Sequence, residues 1–175
     1  MEKRKLATKI LVIAGPSGCG KSYITDRLLE EYPNIFEKLR QVTTREKREG
    51  EGDQYDYLSE EEYNDIKDDL IARTKIGDNW YGTRLTGINN SKIKIIIANK
   101  MGIEDLERIA GLSIVYLGID SEIPAKRDKR DIEFVNHERD SLKEIVPEEN
   151  WLFNTKENYI TTHDVMEIML NYFWN

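Results

Sequence analysis

The apolar run Ile10-Leu11-Val12-Ile13-Ala14 leads directly into Gly15-Pro16-Ser17-Gly18-Cys19-Gly20-Lys21-Ser22. This junction restricts the fold more than any other passage. The run is rich in β-branched residues and shows no polar alternation, so it predicts a strand buried on both faces, as in a parallel sheet between helical layers. After the glycines, Ile24, Leu28 and Leu29 recur at helical spacing from Ser22 to Tyr32, and Pro33 stops the helix. Between strand and helix stands the pattern G-x-x-x-x-G-K-[ST]. Its glycines let successive backbone N–H groups curl around an anion, and the helix N-terminus adds a favourable dipole. Gly15, Ser17, Gly18, Cys19, Gly20, Lys21 and Ser22 are therefore candidate ligands of the ATP phosphates. Lys21 is expected to reach the β- and γ-phosphates, and the Ser22 hydroxyl to sit on Mg²⁺. Cys19 occupies a variable position of the loop and reads as a small residue filling a tight turn.

The remainder of the chain repeats the strand–helix alternation. Ile93 to Ala98 and Ser113 to Ile119 read as strands, the first followed by a helix from Ile103 to Ala110. Charged helical sequence runs from Glu122 to Ile145, and a short strand, Trp151 to Asn154, precedes a helix from Thr162 to Phe173. Such alternation predicts an α/β fold with a parallel sheet flanked by helices. The stretch 34–90 differs. It holds Tyr55-Asp56-Tyr57-Leu58, a charged helix opening at Ser59-Glu60-Glu61-Glu62, Leu70 to Ile76, and Trp80-Tyr81-Gly82, which together read as a small mixed insert over one side of a cleft. The 175 residues fit one domain, with its core in 1–33 and 91–175.

Composition narrows the function classes. A net charge of −7 argues against a nucleic-acid polymer as partner, since a phosphate backbone attracts a basic face, yet a local arginine cluster suffices for a small phosphorylated ligand. The single cysteine precludes an internal disulfide and suits a reducing compartment. No stretch approaches the roughly 20 apolar residues of a membrane span. The expectation is a cytoplasmic protein with no membrane partner, acting as a monomer or homodimer.

The insert carries Thr43-Thr44-Arg45-Glu46-Lys47-Arg48-Glu49-Gly50-Glu51, then Asp53-Gln54-Tyr55, and later Asn79-Trp80-Tyr81-Gly82-Thr83. With the glycine loop, these segments resemble the guanylate kinase family, whose members carry T-T-R-x-x-R-x-G-E, a D-Y and an N-Y-Y-G-[ST] after a GPSGxGKS loop. The resemblance reaches Asn154 near the end. It implies a P-loop kinase core with an insert that binds the nucleoside monophosphate and a helical lid over about 121–145. It also implies that Arg45, Arg48, Tyr55 and Tyr81 grip the phosphate of the acceptor, an assignment that suits the planar guanidinium fork and the neutral tyrosine donor. In the lid, Arg130 and Arg139 match the family's closing arginines best, with Arg127 as a possible third; they would neutralise charge on the transferring phosphoryl group. Lys21, Arg45, Arg130 and Arg139 are the candidate catalytic residues.

Around the acceptor base the chain departs from the family. Gln41 stands where the family has a serine. Ala72 stands where a glutamate accepts hydrogen bonds from guanine. Ile97 and Asn99 replace two aspartates. Hydrogen bonds to a charged group contribute about 1.5–3 kcal/mol each, so losing a carboxylate that accepts two weakens guanine recognition several hundredfold unless replaced. Gln41, which both donates and accepts, and Asp68 or Asp69 are candidate replacements. Asn99 retains a carbonyl oxygen for metal-bound water or a hydroxyl, and Thr83 completes the candidate base and ribose site. The resemblance thus implies transfer of the γ-phosphoryl group of Mg-ATP to GMP, dGMP or a related phosphorylated acceptor. Two alternatives stay open: a ribose 1,5-bisphosphate phosphokinase, and a non-catalytic guanylate-kinase-like module that binds phosphoproteins.

Overall fold

A computed structural model describes residues 7–53, 55–85, 91–122 and 129–174, the side chains of 129–131 excepted. In chain order the elements are β1 (Thr8–Ala14), α1 (Lys21–Glu31), β2 (Phe36–Lys38), β3 (Gln41–Thr43), β4 (Tyr55–Tyr57), α2 (Glu60–Ile66), β5 (Leu70–Ile76), β6 (Asn79–Arg84), β7 (Ile93–Ile97), α3 (Lys100–Glu107), β8 (Leu112–Ser121), α4 (Lys129–Lys143), β9 (Trp151–Asn154) and α5 (Thr162–Phe173).

The continuous apolar run of β1 is explained by where its two faces go. Leu11 and Ile13 pack with Ile24 and Leu28 of α1 and Val165 and Met169 of α5. Ile10, Val12 and Ala14 pack on the opposite side with Ile103 and Leu106 of α3 and Leu142 of α4. A strand covered on both faces has no position for a polar side chain, and Ile10 to Ala14 have no exposed surface. Every pairing in the core sheet is parallel, in the order β2-β7-β1-β8-β9. The C-terminal ends of β7, β1 and β8 therefore open side by side at one edge, where ligands bind in folds of this kind.

The second sheet has the order β4-β3-β6-β5 and is mixed, with β3 and β4 parallel and the β3–β6 and β5–β6 pairs antiparallel. Residues on one of its faces, Val42 and Leu70, pack with Tyr63 of α2. Ser59 and Glu62 close a reciprocal cap at the start of α2, as its serine-plus-acids opening predicts. The alternate residues Gln41, Tyr55, Tyr81 and Thr83 line a cleft toward the core. Not anticipated from the sequence are β2, which pairs with β7 at the edge of the core sheet, and β3, with which the second sheet begins at Gln41.

One irregularity shapes the cleft wall. The β5–β6 register shifts between Ile71 and Thr74, so that Ala72 and Arg73 both face Gly82. Ala72 sits at φ 53, the left-handed region, which costs a non-glycine residue about 1–2 kcal/mol. Asp105 of α3 holds the bulge. Its carboxylate accepts from the Arg73 backbone N–H at 2.9 Å and from Nη2 at 2.9 Å, with Nε at 3.2 Å. Among the described residues no helix is long and apolar enough to cross a membrane.

Candidate active site

The glycine loop leaves β1 and enters α1 through backbone that other residues could not adopt. Gly15 lies at φ 152 with a hypothetical Cβ 2.0 Å from the Ile119 carbonyl oxygen, so the loop rests directly on the β8 backbone. Gly20 is the N-cap of α1 at φ 104, and no side chain caps the helix. The first N–H groups of α1 are thus presented at the C-terminal edge of the sheet, the geometry that favours an anion. Asn154, at the end of β9, braces the loop: its Nδ2 donates to the Cys19 carbonyl at 2.9 Å and its Oδ1 accepts from the Ile160 N–H at 2.7 Å. Cys19 is buried, and that burial raises its thiol pKa, in keeping with a packing role. The Lys21 ammonium donates to the Gly15 and Pro16 carbonyls at 2.7 and 2.8 Å, curled against its own loop.

Gly15, Ser17, Lys21 and Ser22 line a cavity of about 400 Å³. The same cavity is walled by Arg45, Arg48, Tyr55 and Tyr81, and by Gln41, Ala72, Thr83 and Asn99. Residues read as donor ligands and residues read as acceptor ligands are thereby brought to one space. Gly18, Cys19 and Gly20 face the other way. With Tyr23, Asn154 and Tyr159 they border a second cavity of about 300 Å³.

Within the acceptor wall, Arg45 is fixed by Glu51. The Arg45 Nη2 donates to Glu51 Oε1 at 2.7 Å, and Nη1 to the Glu46 carbonyl at 2.9 Å. The other Glu51 oxygen accepts from the Arg48 backbone N–H at 3.1 Å. The hydrogen bond from Arg45, then that from Arg48, holds the Glu51 carboxyl at about 2, well below its usual value. The same pairing raises Arg45 further above its already high value. The Tyr55 ring lies 5.8 Å from the Arg45 guanidinium carbon and meets Tyr81 edge-on. Burial, then the neighbouring Tyr81, raises the Tyr55 hydroxyl pKa, which keeps it a neutral donor.

Three sequence expectations change in detail. The Asn99 side-chain oxygen accepts from the Gly102 N–H at 3.0 Å and caps α3, so a water or a hydroxyl would share it with that bond. That cap also moves the start of α3 forward to Lys100. Asp68 pairs with Arg73 at 3.9 Å on an exposed side chain, and neither it nor Asp69 lines the cavity. Arg139 is committed to Asp120 at the end of β8, with Nη2 to Oδ1 at 2.7 Å and its Nε on the other oxygen, and Nη1 donates to Asn136 at 2.7 Å. It does not line either cavity. The Arg130 side chain and Arg127 lie outside the described residues. Gln41 does stand at the cavity, its Nε2 donating to the Ile97 carbonyl at 3.3 Å, which leaves its oxygen as the acceptor it can offer.

Sequence reading missed three residues. Glu51 closes the T-T-R-x-x-R-x-G-E segment, and its position there is the only signal of its role. Thr74 enters the cavity wall because of the bulge. Glu138, one residue before Arg139, accepts from the Ser17 backbone N–H at 3.1 Å, placing a carboxylate on the phosphate loop from 121 positions away; no local pattern announces that contact.

A family model described as guanylate kinase matches residues 7–116. The chain belongs to the guanylate kinase family. The match spans β1 through the first half of β8, and so includes both the glycine loop and the insert. Similar relatives include the guanylate kinase of Helicobacter hepaticus, 38% identical over 86 residues, which are 47% of this chain and 42% of that protein. The guanylate kinase of Campylobacter jejuni is 30% identical over 134 residues, 72% of this chain and 65% of that protein. The matches thus span between about two fifths and two thirds of those relatives' length. The crystal structure of guanylate kinase from Anaplasma phagocytophilum superposes with a TM-score of 0.64 over 95% of this chain and 85% of that one, at 18% identity, a likeness of fold. The fold is the α/β fold of this family, with a parallel central sheet flanked by helices.

Proposed function

We propose that this chain is an ATP-dependent nucleoside monophosphate kinase that moves the γ-phosphoryl group of Mg-ATP onto the phosphate of GMP or dGMP. One observation carries the reading: the loop bearing Lys21 and Ser22 and the group Arg45, Arg48, Tyr55 and Tyr81 line a single cavity. An acceptor phosphate held by the arginines would then face the end of a triphosphate held by the loop. The acceptor oxygen is already an anion, so no general base is needed. What the chain must supply is alignment and charge neutralisation.

Each residue has a task in that scheme. Lys21 would exchange the Gly15 and Pro16 carbonyls for the β- and γ-phosphate oxygens. Arg45 and Arg48 would bind the acceptor phosphate, with Tyr55 and Tyr81 as neutral donors. Magnesium, which neutralises triphosphate charge when bound, fits a hard oxygen donor such as the Ser22 hydroxyl, completed by phosphate oxygens and water. The second cavity, beyond Gly18 to Gly20, suits the nucleoside of ATP. As a lid arginine, Arg139 would have to leave Asp120; Arg130 is the other candidate. The family match favours neither the ribose 1,5-bisphosphate reading nor the non-catalytic module. A cytoplasmic location goes with this reading.

The test is ADP release from Mg-ATP across GMP, dGMP, AMP, IMP and ribose 1,5-bisphosphate. Turnover with GMP or dGMP is expected. No turnover with any of them overturns the proposal, and turnover with the sugar bisphosphate alone replaces it. Lys21→Ala should lower kcat about 10²–10³-fold, the effect of removing one preorganised charge-stabilising donor, with an unchanged circular dichroism spectrum.

A further inference from the structure

The cavity wall includes a polar residue that the reaction above does not use. Thr74 is 8% exposed, it lines the cavity, and its hydroxyl oxygen has no hydrogen-bond partner among the described residues. Buried hydroxyls are nearly always partnered, so one that is itself covered yet unpartnered, on a residue of the cavity wall, is completed when a turn of that side chain meets a ligand's polar edge. Its position follows from the β5 bulge. Thr74 pairs with Tyr81, Gln41 pairs with Thr83, and Thr43 joins Tyr81 across β3, so Thr74, Gln41 and Thr83 share one face of the sheet.

Beside the two hydroxyls and the Gln41 amide the lining includes the apolar Ala72, Ile97 and Ala98, the Asn99 amide and Lys38. The carboxylates among the described lining residues are Glu51 and Glu138. Glu51 is engaged by Arg45 and the Arg48 N–H, and Glu138 reaches the Ser17 N–H at the loop. An adjacent ring N–H and amino group, as on guanine, would find no charged acceptor here. Hydroxyls, which donate and accept, and an amide oxygen serve a purine edge that mixes carbonyl and N–H equally well.

We propose that Thr74 is a specificity-determining residue: with Gln41 and Thr83 it reads the acceptor's purine through neutral hydrogen bonds, and the site therefore accepts hypoxanthine and guanine monophosphates alike. The inference rests on the acceptor site proposed above. A neutral hydrogen bond is worth about five- to tenfold in affinity, so loss of the 2-amino contact changes kcat/KM by no more than about tenfold between GMP and IMP.

The experiment measures kcat/KM for GMP and IMP in the wild-type chain, Thr74→Val and Thr74→Ser, with the thermal midpoint and the KM for ATP of each. The expected result is a GMP-to-IMP ratio within about tenfold in the wild type. Thr74→Val should raise the acceptor KM about five- to tenfold, leave the ATP KM unchanged and keep or raise the midpoint, since it deletes an unpartnered hydroxyl. Thr74→Ser should stay within about twofold of wild type. A GMP preference above about 100-fold, or an unchanged acceptor KM in Thr74→Val, overturns the inference. If the wild-type chain turns over no acceptor, titration calorimetry with GMP decides separately. A weaker Kd in Thr74→Val sustains the role of Thr74 without the phosphotransfer, and no binding of GMP or IMP at millimolar concentration overturns it.

Discussion

A guanidinium on a loop has many rotamers open to it, and Arg45 needs one. Glu51 selects it by accepting from Nη2 while its second oxygen takes the Arg48 N–H, which folds the loop between the two arginines. Glu51 is thus a positioning residue. Glu51→Gln should raise the acceptor KM several-fold and leave the KM for ATP unchanged, a split that initial-rate kinetics in both substrates resolves. The depressed carboxyl also makes a pH statement. Because the folded value of about 2 lies below the ordinary 4.5, the stabilisation is complete above about pH 4.5 and is lost as pH falls from there through about 2. Urea midpoints of wild type and Glu51→Gln, separated at pH 6, should therefore converge as the pH is lowered across that window.

At the scale of elements, the bulge in β5 decides what faces the acceptor. A regular strand would keep its alternation through Ala72; the bulge sets Ala72 at φ 53, points the Arg73 N–H at α3 and puts Thr74 opposite Tyr81. The left-handed residue costs about 1–2 kcal/mol, and hydrogen bonds to the Asp105 carboxylate offset it. Burial raises the Asp105 pKa, but the Arg73 side-chain and backbone hydrogen bonds outweigh it and the net shift is downward. Asp105→Asn keeps the shape and removes the charge. Discounted for the partly exposed Arg73, it should cost roughly 1–2 kcal/mol in chemical denaturation and raise the acceptor KM, since Thr74 and Ala72 share the cavity wall. Asn99 works at the same scale, its side-chain oxygen capping α3, which is worth about 1 kcal/mol.

For the molecule as a whole, the parallel core and the small mixed sheet each supply lining residues of the larger cavity, the site of the proposed reaction. The chain is acidic, at −7, yet Lys21, Lys38, Arg45 and Arg48 converge on this cavity, so an anionic substrate meets a locally positive wall. Glu138 runs against that trend. It is carried by α4, which Arg139 ties to β8 through Asp120, and its carboxylate rests on the Ser17 N–H. A triphosphate on the loop must displace it. Glu138→Gln should bind ATP about three- to tenfold more tightly, in line with a partly exposed charge contact of about 1 kcal/mol, as read by the ATP Kd from titration calorimetry. An unchanged or weaker Kd would show that Glu138 does not compete with the phosphates.

What the amino-acid sequence determined by itself was local or periodic. A strand with both faces buried must be apolar throughout, so Ile10 to Ala14 announced the central parallel strand; glycines at 15, 18 and 20 announced the tight turn from that strand into α1; and Ser59 with Glu62 announced the start of α2. The segments 55–58, 70–76 and 80–82 of the insert were legible as its strand-rich part, but β2 and β3 were not, because three residues carry no period. The tertiary structure alone decided which side chains share a space. The Arg139–Asp120 pair, the Asp105 hold on the β5 bulge and the Glu138 contact join residues whose separation along the chain bears no relation to their distance in the fold. Geometry of that kind comes from packing two sheets and their helices together, and the acceptor end of the cavity is built almost entirely from it.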